Sequence, residues 1–146
     1  NGTQDLVEGD SRIFFASTHQ MPLYPGTGHA HETGGHSNVI NCPLPEGADS
    51  KAFRAVMELQ ILPAVERWAP EFLLISAGFD AHKADPLAGM NLAEVDFAWI
   101  TQQLCELASK HCQGRVVSCL EGGYNLEALA ASAVAHVKVL KEQKSG

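Results

Sequence analysis

Two positions in this 146-residue chain stand where a carboxylate and a phenol can do chemistry. Asp80 follows the apolar run Phe72 to Ser76 across Ala77-Gly78-Phe79, and Tyr124 follows the run Arg115 to Leu120 across Glu121-Gly122-Gly123. A carboxylate is a competent metal ligand, and a phenol can donate a hydrogen bond to a developing oxyanion. Gly122 and Gly123 let the backbone come close to a ligand beside the tyrosine. The plainer alternative for Asp80 is a turn cap. Two residues are not a site, because a zinc hydrolase needs about three protein ligands and a general base.

The segments around them predict how they meet. Phe72 to Ser76 carries Ile and Leu on both faces, the pattern of a strand buried on both sides of a parallel sheet. Asp85-Pro86 punctuates the loop beyond it. Strands are also predicted over Arg12 to Ser17, Asn38 to Cys42 and Arg115 to Leu120. Helices are predicted from Asp49 or Ser50 to Trp68, kinked or broken at Pro63, from Asn91 to His111, stopped by Gly114, and from Asn125 to Lys141. Lys138, Lys141 and Lys144 suit the C-terminal end of that last helix. Asn1-Gly2 reads as a loop. Strands alternating with helices predict an α/β fold with an open parallel sheet and right-handed crossovers, one domain over residues 1–146. Asp80 and Tyr124 then lie beyond the carboxyl ends of adjacent strands, where such sheets bind ligands.

Between Thr18 and Gly35 the prolines and glycines break every periodicity, and loops of that length tend to be functional. This loop carries His19, His29, His31 and His36, but His29-x-His31 does not match a structural zinc site and no cysteine lies near it. Solvated or loop-packing histidines are the expectation. Tyr24-Pro-Gly-Thr-Gly28 is faintly like a phosphate loop, without the Gly-Lys-Ser/Thr ending.

A formal net charge of −7 argues against a nucleic-acid footprint. No apolar run approaches the ~20 residues of a membrane helix, and no charged-then-apolar leader signals secretion. Cys42, Cys105, Cys112 and Cys119 have no C-x-x-C spacing. They read as reduced, mostly buried thiols of a cytoplasmic protein.

Four segments in register carry a resemblance: Tyr24 to Gly28, Ser76-Ala-Gly-Phe-Asp-Ala-His82, Asp85-Pro-Leu87 and Leu120-Glu-Gly-Gly-Tyr-Asn-Leu126. Over nearly its whole length the chain resembles the histone deacetylase family. It is most similar to class II-like bacterial deacetylases and acetylpolyamine amidohydrolases, which share an arginase/deacetylase-like fold. The resemblance implies a zinc-dependent amide hydrolase acting on acetyl-lysine or acetylpolyamine-type substrates. It implies that Asp80 is a zinc ligand and that Tyr124 polarises the acetyl carbonyl and stabilises the oxyanion. Gly122 and Gly123 would line the acyl tunnel, Tyr24 would form one wall and Leu87 would sit near the rim. A monovalent cation, potassium in kind, would bind backbone oxygens near Ser17 and Thr18. His82 reads as a solvated rim residue or a support for the metal.

In the family, the other zinc-ligating Asp and His and the proton-handling His pair stand in segments that would precede Asn1. The expectation is therefore the C-terminal part of a deacetylase domain, truncated at its N-terminus and inactive alone. It would self-associate through the strand edge and apolar surface left uncovered. The alternatives are a non-catalytic half domain and an arginase-like ureohydrolase, although the latter's two-metal aspartate cluster does not resemble Ser76 to His82.

Overall fold

Parallel pairing organises the chain, which the computed structural model describes over residues 2–142. Phe15–Gln20 (β1) pairs in parallel with Val39–Leu44 (β2), Ser17 opposite Asn41 and Thr18 opposite Cys42. Leu73–Ala77 (β3) pairs in parallel with Val116–Leu120 (β4), Leu74 opposite Val117 and Ser76 opposite Cys119. The architecture is α/β, as the alternation predicts, with two separate two-stranded sheets. The segment beyond β3 joins them. Gly89 N–H donates to Gln20 Oε1 at 2.7 Å, Gly47 N–H to Gly89 O at 2.7 Å and Asn91 N–H to Ala48 O at 2.8 Å. These bonds tie the carboxyl ends of β1 and β2 to the loop that leaves the carboxyl end of β3.

The helices follow their sequence signals closely. Asp49 caps Ser50–Val56 (α2, following a short first helix Gly2–Val7, α1), its side chain accepting from Ala52 N–H at 3.0 Å. Pro63 was expected to kink or break this helix. Instead the chain widens into a π turn over Met57–Ile61 and continues as Leu62–Trp68 (α3), with Pro63 in its first turn. The N–H of Leu62 reaches back to Met57 O. The wider turn accommodates a residue that has no N–H and a bulky ring. Ala69, left-handed with φ 52°, ends the helix before Pro70. Glu94–His111 (α4) crosses over between β3 and β4, and Leu126–Glu142 (α5) follows β4. Cys112 N–H closes the end of α4 on Ala108 O, and left-handed Gln113 and Gly114 turn the chain.

The core lies where α2, the π turn and α3 meet β2 and the loop after β3. Cys42, Leu44, Phe53, Met57, Ile61, Val65, Phe79, Leu92 and Phe97 are all buried there. Phe79 meets Phe97 edge-on at 5.1 Å between centroids. Asp96 is buried beside this core, accepting from Ser50, from Ala93 N–H and from Arg54 at 3.0 Å. A second polar knot ties α4 and α5 to β4. Thr101 donates to Phe97 O, so its oxygen accepts from His136 Nδ1–H at 2.6 Å, and His136 Nε2 is left to accept from Ser118 at 2.8 Å.

Several sequence expectations need correction. Gly2 to Val7 is helical where Asn-Gly suggested loop; Asn1 itself, like Lys144, lies outside the described residues. The first strand extends to Gln20, so Thr18 and His19 lie in β1 and not in the loop. The crossover helix starts at Glu94, because Asn91 and Leu92 instead form bridges to Asp49 and His82. The third strand is not buried on both faces. Leu74 and Ser76 with their partners Val117 and Cys119 form an outer face, with Leu74 70% exposed. Three of the four cysteines are buried and Cys119, on that outer face, is not.

Candidate active site at the carboxyl edge of the second strand pair

The parallel pairing of β3 and β4 continues past the strands. Glu121 N–H donates to Ala77 O at 3.0 Å and Phe79 N–H donates to Gly122 O at 2.8 Å. These bonds zip the Gly78–Asp80 loop to the Gly122–Tyr124 loop. Both therefore open on the same edge, as two loops at the carboxyl ends of adjacent parallel strands must.

Glycine makes this approach possible. A Cβ on Gly122 would stand 2.8 Å from the carboxyl carbon of Asp80, and one on Gly78 would stand 2.9 Å from its Oδ1. The half-buried Asp80 carboxylate thus occupies the space that side chains at 78 and 122 would fill. Gly123 has φ +140°, and a Cβ there would meet Leu129 at 2.9 Å and Phe79 at 3.3 Å. Both glycines of the pair are fitted to their protein neighbours, a role their sequence context alone does not reveal.

Burial pushes the Asp80 carboxyl above its ordinary pKa. The nearby Asp85 charge adds to the rise, against the pull of a backbone N–H hydrogen bond. Among the described residues no Lys, Arg or His forms an ion pair with it. A desolvated carboxylate of this kind is stabilised by a cation, and its oxygens suit zinc. It supplies one ligand. Among the described residues no group of three His, Cys, Asp or Glu side chains comes together to hold a metal.

Tyr124 is 55% exposed, and its backbone N–H donates to Asp85 Oδ2 at 2.8 Å. Leu87 is exposed on the same Asp85 loop. Tyr24, 98% exposed, lies in the loop between β1 and β2. Ser17 and Thr18 are strand residues paired with Asn41 and Cys42. His82 does not sit in solvent. It is buried, its Nδ1 accepts from Ala84 N–H at 3.0 Å and its Nε2 faces Glu94 Oε1 at 3.4 Å. The bridge from His82 to Leu92 draws it inward, which its loop position in the sequence gave no sign of.

Three of the histidines expected in the loop serve it, His19 from the end of β1. His19 bridges Ser17 Oγ and Gly28 O, and His29 stacks on His31. Glu32 accepts from the N–H groups of His29 and Gly28 and from Gln4 of α1. The His29 N–H first and then Gln4 hold its carboxyl down to about 2. In the sequence Asp85 reads as punctuation and Gly78 as the end of a strand, and Gln20 carries no signal; the structure joins Asp85 and Gly78 to this edge and ties Gln20 to the loop beyond it.

Comparison with known proteins identifies the family and the fold. The histone deacetylase domain pattern matches residues 1–140. The uncharacterized protein slr0245 of Synechocystis sp. is 46% identical over 140 residues, covering 96% of this chain and 44% of that protein. The chloroplastic histone deacetylase 10 of Oryza sativa subsp. japonica is 45% identical over 135 residues, covering 90% of this chain and 30% of the relative. The crystal structure of the HDA15 HD domain superposes with a TM-score of 0.88 at 35% identity, covering 96% of this chain and 40% of that one. The chain spans less than half the length of each of these proteins. A domain match across almost every residue, on a backbone that superposes so closely, makes this chain a member of the histone deacetylase family.

Proposed function

We propose that the chain forms the carboxyl-edge portion of a zinc-dependent deacetylase site that removes acetyl groups from acetyl-lysine or acetylpolyamine-type substrates. The observation that carries this reading is the zipped pair of loops, which holds the desolvated Asp80 carboxylate, without a cationic partner among the described residues, against Gly122, two residues before Tyr124. Asp80 is one metal ligand in this reading. When bound, zinc supplies Lewis acidity toward the acetyl carbonyl. Tyr124 donates its phenolic proton in a hydrogen bond to the carbonyl oxygen as charge develops there. Gly122 and Gly123 set the narrow floor, with Tyr24 and Leu87 toward the rim. Backbone oxygens near Ser17 and Thr18 take a monovalent cation, potassium in kind. The buried reduced thiols suit a cytoplasmic setting.

By itself the chain is expected to be inactive, because no three-ligand set forms among the described residues. Acetate release from an acetyl-lysine peptide and from an acetylpolyamine, with and without chelator, tests both statements. The protein carrying the complete domain should hydrolyse one of them and lose the activity to chelation. The isolated chain should hydrolyse neither. Chelator-resistant hydrolysis by the complete domain would remove zinc from the reading.

The outer face of the second sheet favours an additional property. Leu74 and Val117, with Phe72 and Leu120 nearby, leave an apolar strip exposed beside unpaired strand edges. Such edges and patches drive association, so the isolated chain is expected to self-associate. A monomer by light scattering at every dilution would contradict this.

A further inference from the structure

The Asp85 carboxylate serves two loops at once. Its Oδ1 accepts the N–H groups of Leu87 at 2.9 Å and Ala88 at 3.3 Å within its own loop. Its Oδ2 accepts the N–H of Tyr124, 39 residues further along, at 2.8 Å. Asn125 strengthens the same seam, its side-chain amide donating to Ala84 O at 3.1 Å while its Oδ1 accepts from Ala128 N–H in the first turn of α5.

Tyr124 needs such a seam. More than half of it is exposed, so packing does little to hold it. The residue before it is a glycine at φ +140°, a conformation that fixes a direction without supplying a side chain to anchor it. The backbone of Tyr124 is therefore held by its hydrogen bond to Asp85, and a bond to a charged acceptor is about twice as strong as a neutral one.

We propose that Asp85 is a positioning residue for Tyr124, its one carboxylate locking the Tyr124 backbone to the loop that carries Asp80. The proposal rests on the reading of Tyr124 as the oxyanion donor. It differs from a turn-capping role for Asp85, which needs Oδ1 alone. An asparagine at 85 separates the two. An amide has a single acceptor oxygen, which the two N–H groups of its own loop, Leu87 and Ala88, draw to their side, so its NH₂ group faces the lone Tyr124 N–H.

The test uses the protein carrying the complete domain, with Asp85→Asn, Asp85→Ala and Tyr124→Phe singly, and Asp85→Asn combined with Tyr124→Phe. Turnover is measured on the acetylated substrate it hydrolyses, and thermal melts follow folding. Misplacement of a catalytic group by a fraction of an ångström to an ångström costs up to about a hundredfold. Asp85→Asn should therefore lower kcat by about ten- to a hundredfold. KM should stay within about threefold, since a group acting mainly in the transition state is displaced. In the Tyr124→Phe background, Asp85→Asn should lower kcat no further. If Asp85→Ala does not fold, Asp85→Asn decides alone. Parental kcat in the folded Asp85→Asn variant, with Tyr124→Phe impaired, overturns the proposal and leaves the site reading standing. Losses that multiply in the double variant also overturn it. Parental kcat in Tyr124→Phe overturns the site reading itself, and this proposal with it.

Discussion

The Asp80 carboxylate fills the place of a Gly122 side chain, 2.8 Å separating its carboxyl carbon from the Cβ that Gly122 lacks. Alanine at 122 must push that carboxylate away, because the opposing atoms belong to a short side chain on a loop zipped to the same backbone. Gly122→Ala should weaken zinc binding by the complete domain by about ten- to a hundredfold, as disturbance of a ligand's support does. A competition titration against a zinc chelator reads this directly. Unchanged affinity would mean that Asp80 is not a ligand or that the loop yields.

Gly123→Ala should act differently. Its φ of +140° is accessible to glycine, and the added carbon would meet Leu129 at 2.9 Å. A loss of about 1–3 kcal/mol in unfolding free energy is expected from the strain alone. Denaturant unfolding with a midpoint equal to that of the parent would contradict the strained geometry.

Tyr124→Phe removes only the phenolic hydroxyl from a largely exposed ring. Stability should be unchanged, and kcat of the complete domain should fall by about two to three orders of magnitude. A fall in stability with kcat preserved would assign the hydroxyl to structure.

His136 ties pH to stability. Burial holds its pKa below the ordinary value, and its two ring nitrogens are already committed to Thr101 and Ser118. The folded pKa lies below the unfolded one. The stability this contributes is therefore present above the unfolded value, near 6.5, and is lost as pH falls from there toward the folded pKa. His136→Gln keeps two hydrogen-bonding ends without the titration and should flatten the dependence of unfolding free energy on pH below about 6.5. Parallel pH profiles for parent and variant would refute this.

Asp96 gives a second pH-linked stability prediction. Burial opposes its charge, but the hydrogen bonds from Ser50, Ala93 N–H and Arg54 more than offset this and hold its pKa below the ordinary value. With the folded pKa depressed, its contribution is present above about pH 4 and disappears as pH falls through the folded value. Asp96→Ala removes the buried acceptor that Ser50, Ala93 N–H and the partly exposed Arg54 share and should cost about 1.5–3 kcal/mol. Cation–π contact of Arg54 with Trp99 at 4.8 Å persists in the variant, so a loss below about 1 kcal/mol would show that Trp99 alone suffices.

Much of this architecture was legible in the chain, for identifiable reasons. Asp49 at the start of α2 and Gly114 after α4 are local signals, and local signals determine where helices begin and end. Asp80 and Tyr124 could be placed on one edge because parallel strands joined by a crossover neighbour one another. What stayed hidden depends on distant partners. His82 looked solvated until Leu92 drew it inward, and Asp85 looked like a turn residue until Tyr124 reached it. Leu74 on the outer face of β3 is as apolar as Leu73 and Ile75 on the inner one, and Ser76 alone did not reveal that this face is outward. Pro63 predicted a break by its own chemistry, and the π turn that absorbs it is spread over the five residues Met57–Ile61 upstream.

The parallel pairing of β3 with β4 also makes the edge a non-local assembly. Antiparallel neighbours could meet across a tight turn, but here all 18 residues of α4 lie between the two loops and must span the crossover that brings the strands together. Each loop alone lacks its partner: Phe79 N–H has no Gly122 carbonyl, and the Asp80 carboxylate has no glycine wall. Closing so long a crossover is slow relative to forming any of its parts. Transient detachment of β4 and α5 would therefore dismantle the edge that holds Asp80 and Tyr124, while β1, β2 and the helix from Ser50 to Trp68 keep their own contacts.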